Sequence, residues 1–485
     1  RPAPQLTHPG GQHWNRTSSM SHLLLLALCL LPVPTSALWR HVEVPALASA
    51  QAETSASAAL TRHPWPCKNG NTMRTGQGSQ TAVGPGNLST AAWVFEPEDP
   101  ADTIYQSPVV DHEQNVIFGS SSGTMYSLTA GGRLNWASRL PLNGSRPAGS
   151  LPTPVLHGDA LYATDGQGCL VCLSLATGEE RWRRSYAYGS GADAWSLGID
   201  AGSATLFSLA YPTRESSLRC PYGGTRLYAH DLADGGVRWS YELRQCSCNV
   251  MPAVVDKTVV FGDATGSVYA LDAATGAERW VQPGNGAEAF STAAALVGDN
   301  GMVYAPSNLA PHRGVLRAYA LETGELRWSQ AYDREANAGA ALYRAADGRL
   351  LLALGVADNA FPPLPFDLPA ARRGTVFAYD AETGEEAWQF QAPVWPHLAV
   401  AGSTMERVCL PDSFTNPSVD ALGMLYIGWM GGIVFAINGT SGEEVSRYSI
   451  RSGMQAAPAI GRGMLVAASC RRVAGFLGHS GPALP

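Results

Sequence analysis

The chain has 485 residues, of which 45% are hydrophobic and 15% charged, with 52 glycines and 33 prolines and a formal charge of −7. That aliphatic and aromatic content excludes a disordered chain. With two lysines (Lys68, Lys257) beside 31 arginines and no basic stripe, the electrostatic footprint of a nucleic-acid binder is missing too, so no nucleic-acid partner is expected.

The first predicted element is a leader. Residues 20–37 begin at Met20, carry an apolar core from Leu23 to Val33, and place Thr35 and Ala37 at the −3 and −1 positions of a cleavage site. This is the anatomy of a secretory signal, and the apolar run is too short to span a bilayer. Residues 1–19 read as an upstream extension of the gene model, and 38–64 as a linker. Cleavage after Ala37 removes Cys29 and leaves eight cysteines, an even number compatible with disulfides in an exported chain. A bond among Cys220, Cys246 and Cys248 is expected. The sequons at Asn87, Asn143 and Asn438 are glycosylation candidates, with Asn438 expected to be exposed in a hairpin turn.

From residue 65 the chain repeats itself. "VYALDAATGAERW" (268–280) returns as "LVCLSLATGEERW" (170–182), "LRAYALETGELRW" (316–328) and "VFAYDAETGEEAW" (376–388). Looser copies end at Trp136 and Trp239, and a decayed one places Ser446 where tryptophan is expected. Successive copies lie 41–60 residues apart, which suits a four-stranded propeller blade with loop insertions. Each copy reads as strand, tight turn, strand. Val268 and Ala270 alternate with Tyr269 and Leu271, as on the two faces of a strand. Asp272 suits the start of the turn, its carboxylate accepting backbone N–H groups, and Gly276 suits a positive φ. Trp93, Trp136, Trp182, Trp239, Trp280, Trp328 and Trp388 then read as interblade packing, with a small residue such as Ala270 leaving room for a ring.

Eight leading strands precede these copies: "YQSPVVD", "LPTPVLH", "AWSLGID", "NVMPAVVD", "FSTAAALV", "NAGAALYR", "TNPSVDA" and "QAAPAIG". The eighth has no outer strand after it, and "STAAWVFE" around Trp93 is an outer strand with no blade of its own. Joining them predicts an all-β, eight-bladed β-propeller of four-stranded blades, occupying 65–478, its ring closed by an N-terminal strand that completes the last blade. Residues 479–485 form a tail. Blades 3, 6 and 7 carry insertions at 211–224, 355–374 and 402–417, the expected contact surfaces for a protein or glycan partner.

The pattern A-x-D-x-x-T-G-x-x-x-W, with the lead "WPCKNGNTMRTGQG" (65–78), resembles the pyrroloquinoline-quinone (PQQ) repeat of eight-bladed quinoprotein alcohol dehydrogenase-like propellers. The resemblance runs from about Trp65 to about Gly478. It implies an alternative in which the protein is a PQQ- and calcium-dependent dehydrogenase of alcohols or sugars. That chemistry asks for an aromatic floor, a vicinal disulfide and a carboxylate-rich cage. No two cysteines are adjacent, and no CxxCH haem motif is present. The channel-mouth candidates for binding are Gln106, Trp195, Asn249, Asp412 and Asn416, with no catalytic residue and no metal site assigned. "CLVC" (169–172) reads as strand packing, because residues three apart on a strand face opposite sides. The expectation is a secreted or secretory-lumen binding platform, periplasmic if bacterial, with no cofactor. It also resembles the scaffold lipoprotein of bacterial outer-membrane assembly, although Leu28 before Cys29 departs from a lipid-attachment pattern.

Overall fold

The structure is a computed structural model. It describes residues 62–84, 86–99, 101–140, 151–189, 196–217, 224–249, 251–358, 371–397, 400–402 and 413–478. These residues build eight antiparallel sheets of four strands each. The blades span 109–139, 155–185, 198–242, 253–282, 296–332, 341–391 and 418–449. The eighth joins 459–477 to the N-terminal strand Trp93–Phe95. The expected propeller and its closure by the N-terminal strand both hold. The helical content of the described blades is the single turn Arg214–Ser217, inside the blade 3 insertion.

First strands line the axis, and those of blades 3 and 4, 4 and 5, 6 and 7, and 8 and 1 touch one another. The alternation read from the sequence is that of a strand buried on both faces: Val268, Tyr269, Ala270 and Leu271 are all buried. Both faces are apolar because each blade is covered by a neighbour on either side. The turn chemistry follows the sequence. Asp272 Oδ1 accepts from the backbone N–H of Ala274 at 3.1 Å and of Thr275 at 3.0 Å, and Gly276 takes φ +73°.

The tryptophans link blades by one repeated device. In strand register, Trp136, Trp182, Trp239, Trp280, Trp328 and Trp388 stand opposite Ser127, Cys172, Ala229, Ala270, Ala318 and Ala378. Trp93 stands opposite Gly475. Each ring then covers the turn glycine of the next blade: Trp93 over Gly132, Trp136 over Gly178, Trp182 over Gly235, Trp239 over Gly276, Trp280 over Gly324, Trp328 over Gly384 and Trp388 over Gly442. Six of the indole N–H groups also donate to a backbone carbonyl of the next blade, for example Trp280 Nε1 to Leu321 O at 2.7 Å and Trp388 Nε1 to Gly439 O at 2.8 Å.

The eighth link differs. Ser446 stands opposite Ala436 and has no ring to offer. Its hydroxyl instead donates to Gly86 O and accepts from Leu88 N–H at 2.9 Å. A polar clamp on the N-terminal segment therefore replaces the ring-on-glycine contact at the joint where the two ends of the chain meet.

The same register places the "CLVC" pair. Cys172 opposes Trp182 and Cys169 opposes Ser185, both on a buried strand. Burial pushes both thiols up, Cys172 to about 11. Among the described residues no three His, Cys, Asp or Glu side chains converge as a metal group would. Cys246 is buried and disulfide-bonded, with Cys248 packed beside it. Cys220 lies outside the described residues.

Candidate functional site: a belted channel with one open face

In an up-and-down four-stranded blade, the segments leading into the first strand and those joining the second to the third share one face. The two remaining turns share the other. The tryptophan-covered glycine turns lie on the second face. All three insertions leave and rejoin the propeller at the first: 211–224 and 355–374 between second and third strands, and 402–417 ahead of a first strand.

The second face of the channel is closed by a belt. Residues 65–81 run around the axis and bond to each blade in turn. Trp65 pairs with Val110, and Pro66 O accepts from Leu156 N–H at 2.8 Å. Thr72, Met73, Thr75 and Gly76 carbonyls accept from the N–H groups of Val254, Val297, Leu342 and Val419 at 2.7–2.9 Å. Thr81 O accepts from Gly463 N–H at 2.8 Å. Blade 3 is reached by a side chain: Arg74 Nη2 donates to Leu197 O. Arg74 is fully buried, and its other nitrogens are satisfied as well, Nε by Pro252 O at 3.0 Å and Nη1 by Lys68 O at 2.8 Å. Cys67 is buried beside it, and burial pushes its thiol up.

The open face presents a polar mouth. A small pocket, with room for about one water, is lined by Lys68, Asn249, Thr292, Asn337, Asn416 and Gln455, with Ala294 and Phe414 completing the wall. Asn249, Thr292, Asn337, Phe414 and Gln455 each stand five residues ahead of a first-strand residue (Val254, Val297, Leu342, Val419, Ile460). One register position thus supplies most of the lining. Two of the sequence candidates, Asn249 and Asn416, are brought together here, both half-buried. Asn249 sits at φ +56°, a left-handed conformation that asparagine tolerates. Asn416 is committed to structure: its Oδ1 accepts from Gly339 N–H at 2.7 Å and its Nδ2 donates to Asn69 Oδ1 at 3.1 Å. Gln106 is fully buried in the segment leading into blade 1 and does not line this cavity. Trp195 and Asp412 lie outside the described residues.

Sequence reasoning missed Lys68, Thr292, Asn337 and Gln455. The last three were available by aligning the leading strands and reading one column. Lys68 was not, because it comes from the belt, which belongs to no repeat. Asn337 is held by its neighbours: Oδ1 accepts from Thr292 N–H at 2.9 Å and Asn308 Nδ2 at 3.0 Å, and Nδ2 donates to Thr292 Oγ1 at 2.7 Å.

Of the sequons, Asn87 is exposed. Asn438 is half-buried rather than exposed, because its Oδ1 caps its own turn through Thr440 N–H at 2.9 Å. Asn143 lies outside the described residues. No helix among the described residues is long and apolar enough to cross a membrane.

A family model described as outer membrane protein assembly factor BamB matches residues 74–196, 184–357 and 371–483. Among curated proteins, serine/threonine-protein kinase AfsK of Streptomyces griseus is 33% identical over 132 residues, 26% of this chain and 15% of that protein. The chain therefore spans a small fraction of that relative's length. Among solved structures, BamB from Moraxella catarrhalis superposes with a TM-score of 0.52 at 19% identity, over 81% of this chain and 99% of that one. Quinohemoprotein alcohol dehydrogenase from Comamonas testosteroni gives a TM-score of 0.62 at 13% identity, over 88% and 82%. Likenesses at this identity concern the fold.

Proposed function

The chain belongs to the family described as outer membrane protein assembly factor BamB, and from that premise we propose that it is a non-catalytic binding platform whose working surface is the insertion-bearing face. The observation that carries this reading is the asymmetry of the ring. The belt seals one mouth, while three insertions and the amide-lined mouth share the other. Partners are protein or glycan, engaged through the insertions of blades 3, 6 and 7. Export through a leader at 20–37 is part of the proposal. It is supported by the disulfide-bonded Cys246 and Cys470, since disulfides persist in oxidising compartments. A glycan at exposed Asn87 is compatible with the same route.

The described mouth does not fit PQQ and calcium. Calcium prefers a cage of carboxylate and carbonyl oxygens. The lining here is amides and a hydroxyl around the Lys68 ammonium, with no carboxylate among the described lining residues, and Asn416 has already committed both ends of its amide. We therefore derive no redox step.

Two measurements test the reading. A ligand at one hundred times its Kd stabilises a protein by about 2.7 kcal/mol. Such a thermal shift with PQQ and calcium together would overturn the non-catalytic assignment in favour of the dehydrogenase alternative. Cross-linking to partners in the source cells should concentrate on the insertion face, near His312 and Arg373. Cross-links clustered on the glycine-turn face would count against the platform.

A further inference from the structure

We propose that Glu335 is a two-position carboxylate, held by the His312 imidazolium at mildly acid pH and by the buried Arg372 guanidinium at neutral pH, so that one histidine proton sets how firmly the root of the blade 6 insertion is anchored. Two buried groups of opposite charge lack partners in this corner of the open face. Arg372 is 1% exposed, and none of its three guanidinium nitrogens has an acceptor. Glu335 Oε2 is buried and has no donor. The other carboxylate oxygen, Oε1, lies 3.1 Å from Nδ1 of the exposed His312.

Backbone bonds bring the segments together. Glu335 exchanges N–H···O bonds with Ala357 at 3.0 and 3.2 Å. Ala357 pairs in register with Gly374, and Asp358 N–H donates to Arg373 O at 2.9 Å. Glu335 and Arg372 therefore flank the same strand end. Burial lowers the pKa of Arg372, and the charges of Asp358 and Glu335 act against that. The other charged groups here are committed. Asp358 Oδ2 accepts from Arg373 Nε at 3.2 Å and Arg373 N–H at 2.8 Å. Arg334 Nε donates to Asp333 Oδ1 at 3.1 Å, and Arg313 Nη2 to Ala310 O at 3.3 Å. His397 packs on the ring of Trp395, 4.7 Å between centroids. Glu335 is the acid here with a buried oxygen to give.

A buried guanidinium without an acceptor is strongly unfavourable, and so is a buried carboxylate oxygen without a donor. Turning Glu335 from His312 to Arg372 satisfies both, and the planar fork of a guanidinium matches a carboxylate. Leaving a charged His312 costs a charge-assisted bond, whereas leaving a neutral one does not. Histidine gains that charge as pH falls through its ordinary value of about 6.5. Below it, His312 holds Glu335 and Arg372 goes without. Above it, Glu335 moves to Arg372, and an ion pair ties the segments at 335, 357–358 and 372–374 together. The root of the insertion is therefore tighter at neutral pH. The device shares the platform's face but does not depend on the platform reading.

Amide hydrogen exchange of the full chain at pH about 5.5 and about 7.5, corrected for the intrinsic pH dependence of exchange, tests this at the N–H groups of Glu335, Ala357 and Arg372. Their protection should rise about tenfold between the two, the worth of one charge-assisted bond. His312→Asn should show the higher protection at both. Glu335→Gln and Arg372→Met should show no step, and His397→Asn should leave it in place. His312 is exposed and sits at φ +48°, which asparagine tolerates, so His312→Asn carries the test even if Arg372→Met does not fold. A histidine NMR titration gives a second readout. Arg372→Met should raise the midpoint of His312, because Glu335 then has no other cation to hold, and Glu335→Gln should lower it. The proposal is overturned if protection in the parent is the same at both pH values, or if the step survives in His312→Asn. It is equally overturned if the His312 midpoint does not move in Glu335→Gln.

Discussion

Gly276 lies directly beneath the indole of Trp239: a β-carbon at this glycine would fall 2.6 Å from ring atom Cε3. The two residues are in neighbouring blades, and the same pair recurs around the ring. Gly276 also sits at φ +73°, where an L side chain is strained. Gly276→Ala should therefore destabilise the protein by roughly 1–3 kcal/mol, through backbone strain and displacement of the ring. Chemical denaturation measures it. A melt matching the parent would remove the ring-on-glycine contact as an energetic element.

Trp280 is 7% exposed and is the partner ring for Gly324 in the next joint. Trp280→Ala should cost about 3–5 kcal/mol, the range for truncating a buried aromatic side chain. Because the ring is closed, the loss should appear in one cooperative transition. A separate early transition would show that blades melt independently.

Ser446→Ala removes the hydroxyl that holds Gly86 O and Leu88 N–H. The expected loss is about 1–2 kcal/mol, the cost of leaving two partly buried backbone groups without their partner. Proteolysis near residues 86–92 should accelerate in the variant. An unchanged cleavage rate would argue that closure rests on the strand pairing of Trp93–Phe95 alone.

Arg74→Met deprives three buried carbonyls, on Lys68, Leu197 and Pro252, of their donor. It should destabilise by about 2–4 kcal/mol.

His230 is buried between Ser208 Oγ at 2.9 Å and Gly235 O at 3.2 Å. Burial lowers its pKa from 6.5 to about 4. Between those values the unfolded chain holds a proton that the folded chain does not, so stability rises with pH across that window. The contribution is complete above 6.5 and lost as pH falls toward 4, amounting to roughly 3 kcal/mol at most. His63, also lowered to about 4 by burial, adds a slope of the same sign. Denaturant melts of His230→Gln at pH 4 to 7 should show a shallower slope than the parent. A parallel slope would count against the assignment.

The repeat was legible because its determinants are local. Asp272 and Gly276 specify a turn within five residues, and the alternation of Val268 through Leu271 specifies a strand buried on both faces. Trp280 and Ala270 lie in one hairpin, so their opposition follows from turn length alone. Blade number followed from counting, and closure followed from an outer strand at one end and a missing one at the other. The channel mouth was only partly legible. Asn249 and Asn416 stand out as amides beside first strands, but Thr292, Asn337 and Gln455 become neighbours only when five blades bring one register position to a common axis.

The repeating unit, its strand period and its turn are thus written locally, since each depends on residues a few positions apart, and the all-β ring follows from counting its copies. Which mouth is closed, and which buried groups find partners, depends on contacts between distant blades. The belt from Trp65 to Thr81 belongs to no repeat, and its lead motif does not say which strands it meets. It bonds through backbone carbonyls to strands as distant as Val419 and Gly463, and backbone groups are the same in every residue. Arg74 and Arg372 are likewise indistinguishable in sequence. Both are buried, and only the placement of carbonyls from distant blades makes one satisfied and the other not.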